Sequence, residues 1–82
     1  MNYRIELKPR AEKDLKDMSP PDRRRMIERL RWLEQDLRGD VKRLSHYVPE
    51  YRMRAGDWRA LFEIAENRVI VYRILHRSEA YR

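Results

Sequence analysis

The sequence predicts an α+β fold, with two N-terminal helices on one face of a mainly antiparallel four-stranded sheet, in the order strand, helix, helix, strand, strand, strand. Three observations carry this. Apolar and polar residues alternate with period two in residues 2–8 and again from Tyr51 to Leu75; apolar residues recur at helical spacing between those regions; and proline and glycine punctuate the junctions. With 82 residues the chain has room for one core, so a single domain over residues 1–82 is expected.

The elements follow in order. From Asn2 to Lys8, Tyr3, Ile5 and Leu7 face one way and Asn2, Arg4, Glu6 and Lys8 the other, as in a half-buried strand. Pro9 stops it, and Ala11, Leu15 and Met18 mark a short amphipathic helix. Ser19-Pro20-Pro21-Asp22 opens a second helix: Ser19 is placed to cap, proline is tolerated in the first turn, and Asp22 suits the helix dipole. That helix is expected from Pro20 to Leu37, burying Met26, Ile27, Leu30, Leu33 and Leu37, with Trp32 at its flank and Gly39 as a left-handed C-terminal cap. Residues 40–49 read as a loop anchored by Leu44, with Lys42, Arg43 and His46 exposed. Tyr51-Arg52-Met53-Arg54 alternates as a strand, Gly56-Asp57 turns the chain, and a strand opening at Arg59 reverses at Ala65-Glu66-Asn67, where Asn67 relieves the turn. The last strand spans Arg68 to Leu75.

The formal net charge of +6 points to a polyanionic partner, nucleic acid or an acidic polypeptide. Charged and hydrophobic residues each make up 41% of the chain, and the periodic arrangement of the second set argues for a folded domain rather than a disordered one. Without cysteine there are no disulfides or thiolate metal sites, and His46 and His76 have no metal-binding company, so neither metal nor cofactor is expected. No apolar run approaches the roughly 20 residues that span a bilayer. Met1 leads into a charged strand rather than a signal peptide, so a cytoplasmic protein without membrane contact is expected.

The chemistry concentrates in Tyr51–Tyr81. Arg52, Arg54, Arg59, Arg73 and Arg77 fall towards one sheet face, and no lysine follows Lys42. Guanidinium holds phosphate oxygens bidentately and stays protonated, so such a face is suited to an anion. Each of these residues also has a structural reading. Arg52 and Arg54 fit a solvated edge strand, Arg73 a cross-strand pair with Glu63, Tyr81 a packing role, and Arg23-Arg24-Arg25 a solvated helix face. His76 reads as a strand-end hydrogen-bonding residue, His46 as loop surface, and Trp58 and Trp32 as core and flank. Crowding of like charge on one face favours the anion site over a merely solvated one.

Tyr51-Arg52-Met53-Arg54, Gly56-Asp57-Trp58-Arg59-Ala60-Leu61-Phe62-Glu63-Ile64 and His76-Arg77-Ser78-Glu79-Ala80-Tyr81 together resemble the RelE branch of the RelE/ParE toxin superfamily of type II toxin–antitoxin systems. The resemblance covers nearly the whole chain, and its specific parts are the Gly-Asp-aromatic-Arg turn and the terminal Arg-Ser-Glu-x-Tyr. It implies a ribosome-dependent endoribonuclease, an mRNA interferase that cuts the A-site codon and inhibits translation. It also implies a cognate RelB-like antitoxin whose acidic and apolar segment wraps the toxin, with operator DNA reached only through that antitoxin. By matching position, the resemblance makes Arg52, Arg54, Arg59, Arg77 and Tyr81 catalytic, with Arg52 and Arg54 standing where well-known members have lysine. Arg73, Lys42, Arg43, Arg23 and Arg24 are the accompanying RNA-binding candidates.

The reaction so implied is attack of a ribose 2′-hydroxyl on the adjacent phosphate, which leaves a cyclic phosphate and a 5′-hydroxyl. It calls for a base, cations around the phosphorane and an acid. Arginine serves the second task and is a poor base. Three answers stand for the first: electrostatic stabilisation with ribosomal RNA positioning the substrate, a base at Glu63 or His76, or orientation of the hydroxyl by Tyr81. Two other functions share the fold, inhibition of DNA gyrase as in ParE toxins and non-catalytic binding to RNA or ribosomes.

Overall fold

The computed structural model describes residues 2–80; Met1, Tyr81 and Arg82 lie outside the described residues. The chain forms β1 (Arg4–Leu7), α1 (Pro9–Asp17), α2 (Pro20–Leu33), β2 (Asp40–Arg43), β3 (Tyr51–Ala55), β4 (Trp58–Ala65) and β5 (Arg68–His76). The sheet order is β1-β5-β4-β3-β2, antiparallel except where β1 runs parallel to β5. The α+β class and the helix pair agree with expectation, and the sheet has five strands rather than four. The added strand is β2, in the stretch read as a loop. It carries only Val41 as an apolar residue, and its extended form comes from pairing with β3 rather than from its own pattern.

Both helices start on proline, where a missing N–H costs nothing. Ser19 takes the extended backbone that precedes proline, but its side chain makes no capping hydrogen bond. Helix α2 stops at Leu33, four residues short of the expected end. There Tyr3 N–H donates to the Glu34 carbonyl at 2.9 Å and Asn2 bridges to Gln35, so the chain leaving the helix is taken up by the start of β1. Asp36 and Leu37 adopt left-handed backbone at this exit, and Gly39, at φ 125°, lies beyond it rather than capping the helix. The β4–β5 reversal likewise uses Glu66, not Asn67, as its left-handed residue.

One face of the sheet meets the helices. Ala11, Met26, Leu30 and Leu33 pack against Met53, Ala60, Phe62, Val69, Val71 and Ile74, all buried, and Tyr51 stacks on Phe62 at 5.6 Å. Trp58 joins this side and donates its indole N–H to Asp22 at 3.1 Å, which ties the β3–β4 turn to the start of α2. Beyond Val71, β5 has no strand beside it on the β1 side, and α1 fills that position. The Asp14 carboxylate accepts the Ile74 backbone N–H at 2.9 Å and the Arg73 Nε–H at 2.8 Å. Arg73 is therefore paired with Asp14 and not with Glu63. It sits at the open edge of β5, next to helix α1, while Glu63 accepts the Glu50 backbone N–H at 2.8 Å.

Candidate anion-binding site

Strand register alone assembles most of the site. On the sheet face away from the helices, Asp40, Arg54, Arg59 and Leu75 form one cross-strand row, and Lys42, Arg52, Leu61 and Arg73 form the next. Two half-buried leucines thus lie among cations. The bulge between Leu61 and Phe62 interrupts the pattern, and the following row, Glu63, Ile70 and Glu6, is acidic. At the far end of the same face Arg68 and Arg4 are neighbours, and Arg68 pairs with Glu6 at 3.3 Å, so the cluster of several arginines lies at the other end of the sheet.

At that end, Arg29, Asp40, Arg54, Gly56, Asp57, Arg59 and Arg77 line a depression of 430 Å³. Gly56 makes the turn at φ 63°, a left-handed backbone that favours glycine, and the tip of the Arg25 side chain lies over it, where a Cβ would push it aside. The Arg77 N–H donates to the Asp57 carbonyl at 2.8 Å, which fastens the end of β5 to the same turn. Arg59 donates to the carbonyls of Gly56 at 2.9 Å and Trp58 at 3.0 Å, holding its guanidinium over the turn. Burial, followed by the charges of Arg52, Arg54 and Arg77, lowers its pKa from the ordinary guanidinium value, with Asp57 offsetting part of this. It remains a cation, and the part of the lowering that comes from the neighbouring arginines is repulsion that a bound anion would relieve. Arg54 is 2.6 Å from Asp40, and Arg77 is 3.8 Å from Asp57.

Arg54, Arg59 and Arg77 meet in the depression, and Arg52 is near enough to act on Arg59. Lys42 lies one row away beside Arg52. Others of the expected set are elsewhere. Arg73 is held by Asp14, and Arg43 pairs with Glu50 at 2.9 Å. Arg23 donates to the carbonyls of Lys16 and Met18, joining the end of α1 to α2, and Arg24 lies with Ile27, Glu28, Arg31 and Trp32 on another part of α2. Tyr81 lies outside the described residues. Neither suggested base joins the cluster. Glu63 is four residues along β4 from Arg59, about 13 Å at strand rise, and His76 meets Trp58 edge-on and shares a hydrogen bond with the Ser78 hydroxyl at 3.0 Å. Among the described residues no group of His, Asp and Glu is arranged to hold a metal, and no helix is long and apolar enough to cross a membrane.

Sequence reasoning missed Arg29 and Asp40. Arg29 sits among the other arginines of α2, and Asp40 sits in the unrecognised strand. The i, i+4 spacing of Arg25 and Arg29 was a usable signal, since it puts both on the same helix flank.

Comparison with known proteins gives the family. A model of the ParE toxin of the type II toxin–antitoxin system parDE matches residues 5–81. RelE1 of Methanocaldococcus jannaschii is 31% identical over 88 residues, covering 100% of this chain and 98% of that protein. Among solved structures, the RelB–RelE antitoxin–toxin complex of Methanococcus jannaschii has a chain that superposes with a TM-score of 0.76 at 26% identity, over 93% of this chain and 94% of that one. The RelBE2 toxin–antitoxin complex of Mycobacterium tuberculosis gives a TM-score of 0.80 at 22% identity, over 94% and 100% of the two chains, a likeness of fold. This chain belongs to the RelE/ParE family and is a toxin of the type II toxin–antitoxin class.

Proposed function

We propose that this toxin is a ribosome-dependent endoribonuclease that cleaves mRNA in the A site and so inhibits translation. The observation that carries the reading is the meeting of Arg54, Arg59 and Arg77 in one depression, with Arg52 adding to the field on Arg59. Attack of the 2′-oxygen on phosphorus and departure of the 5′-oxygen build up charge on the non-bridging oxygens. Preorganised guanidinium groups stabilise that charge more than they stabilise the ground state. Arg59, held by two backbone carbonyls, and Arg77, fastened to the β3–β4 turn, clamp the scissile phosphate, and the half-buried Leu61 and Leu75 offer an apolar floor to a base. Tyr81 positions the substrate. With Glu63 and His76 away from the cluster, rate enhancement rests on charge stabilisation and on substrate alignment by ribosomal RNA, which accounts for dependence on the ribosome.

A RelB-like antitoxin with an acidic and apolar wrapping segment neutralises the toxin in the cytoplasm and links it to operator DNA. The basic face suits such a partner, and the structural relatives are described as complexes with RelB. The ParE description of the matching family model favours one second reading, gyrase inhibition without RNA cleavage.

Primer extension on an mRNA translated in a reconstituted system separates the two. Cuts within A-site codons that require ribosomes, and that fall by about 10²–10³-fold in Arg59→Ala and in Arg77→Ala, are the expected result. Uncut mRNA together with inhibited gyrase supercoiling would select the second reading.

A further inference from the structure

The cleft contains one cation whose position the other residues do not explain. Arg29 comes from α2, on the helix side of the sheet, yet it lines the same depression as Arg54, Arg59 and Arg77. Each of those three has an oxygen partner: the Asp40 carboxylate for Arg54, the Gly56 and Trp58 carbonyls for Arg59, and the Asp57 carboxylate for Arg77. Arg29 has neither a carboxylate nor a carbonyl partner among the described residues, and its Nε–H is buried without a hydrogen bond. Its guanidinium carbon lies 4.2 Å from the centroid of the Trp32 ring, one turn further along α2.

Stacking on an indole uses the face of the guanidinium and, with Nε buried, leaves the edge carrying the two Nη groups to oxygen ligands. It also fixes the side chain in advance, so little rotamer entropy is lost when a ligand arrives. A cation that lines the same depression as three others adds to the positive field that an entering anion meets. The positions three and four residues from Arg29 are Arg25, Met26, Trp32 and Leu33, so the helix itself offers no carboxylate to Arg29.

We propose that Arg29 is a phosphate ligand supplied by α2, which holds a phosphodiester neighbouring the one that Arg59 and Arg77 clamp on the same single strand. The inference rests on the nuclease reading above and extends it from one phosphate to two. Trp32 acts through Arg29 as a positioning residue. The site therefore spans both layers of the fold, with sheet arginines at the reacting phosphate and a helix arginine setting the register of the strand.

The test is salt-dependent fluorescence anisotropy with a short single-stranded RNA carrying 2′-O-methyl groups to prevent cleavage. Binding is compared for wild type, Arg29→Gln, Arg29→Lys and Arg59→Ala, with a thermal melt of each. The expected result is that Arg29→Gln binds about tenfold more weakly and reduces the slope of log K against log salt by about 0.7, the contribution of one phosphate contact on a single strand. Its melting temperature stays within a few degrees of wild type, because only the stacking on Trp32 is lost. Arg29→Lys restores the slope through its point charge while recovering only part of the affinity. A wild-type slope in Arg29→Gln, with Arg59→Ala clearly weakened, would overturn the inference and leave the nuclease reading standing. A lower melting temperature in Arg29→Gln with no slope recovered by Arg29→Lys would assign Arg29 a structural role and overturn it equally. Wild-type protein with no affinity for the RNA would overturn the inference, while the nuclease reading, which depends on the ribosome, is decided by the primer extension above.

Discussion

At 2.6 Å from Nε of Arg54, the Asp40 carboxylate occupies a direction from which a phosphate oxygen would approach. Asp57 stands in the same relation to Arg77 at the longer distance of 3.8 Å. Both pairs are well exposed, and an exposed ion pair is worth only about 0.2–1 kcal/mol, so neither holds the fold together. Their effect falls instead on the ligand, which must displace a carboxylate before it gains a guanidinium. Asp40→Asn keeps the shape and removes the charge. It is expected to raise the affinity for single-stranded RNA by about two- to fivefold at low salt, with stability changed by less than about 1 kcal/mol, as read by anisotropy titration and a urea melt. Arg59 stays charged throughout, since the lowering of its pKa by burial and by neighbouring arginines starts from a value far above neutrality.

On the scale of elements, the arrangement depends on how the open edge of β5 is closed. A bare edge would expose the Ile74 N–H, and α1 covers it with Asp14, which also holds Arg73. Burial acts to raise the Asp14 pKa, but the Arg73 guanidinium and the Ile74 N–H outweigh it and leave the carboxyl below its ordinary value. A carboxyl depressed in the folded state contributes stability that is complete above its unfolded pKa and is lost as pH falls through the folded one. Asp14→Asn is therefore expected to cost about 1.5–3 kcal/mol at neutral pH, the range for hydrogen bonds to a charged group. The difference from wild type should shrink as pH drops below about 4, as urea melts at several pH values would show. The pairing was not legible in the sequence because Asp14 and Arg73 are 59 residues apart. Nothing in the alternation of β5 marks Arg73, which stands in the outer row, as the member of that row that reaches α1 at the strand edge.

For the whole molecule, size sets the margin. At about 0.05–0.15 kcal/mol per residue, a chain of this length has a total stability of about 4–12 kcal/mol. The core is one layer of side chains between two helices and a sheet, with Phe62 fully buried against Tyr51. Phe62→Ala is expected to cost about 3–5 kcal/mol, a large part of the total, and to abolish or sharply lower the cooperative thermal transition seen by circular dichroism. A partner that binds only the folded state would add to that margin by mass action, as the antitoxin is proposed to do.

The α+β class, both helices and all four expected strands follow from local pattern, because period-two and helical spacing are properties of neighbouring residues. Gly56 as the turn and Arg54, Arg59 and Arg77 as a group were legible for the same reason: alternation fixes which residues share a face, and a two-residue turn fixes which of them are opposite. Strand β2, the end of α2 at Leu33, the Arg73–Asp14 pair and the entry of Arg29 into the cleft were decided by tertiary structure. Each depends on a segment remote in the chain: β3 beside Asp40–Arg43, the start of β1 beside Glu34, α1 along the edge of β5, and the β3–β4 turn beneath α2. The sequence by itself determined that a basic face would form. Packing of the helices on the sheet determined which arginines keep their charge for a ligand, because only in three dimensions do some of them meet a carboxylate and others not.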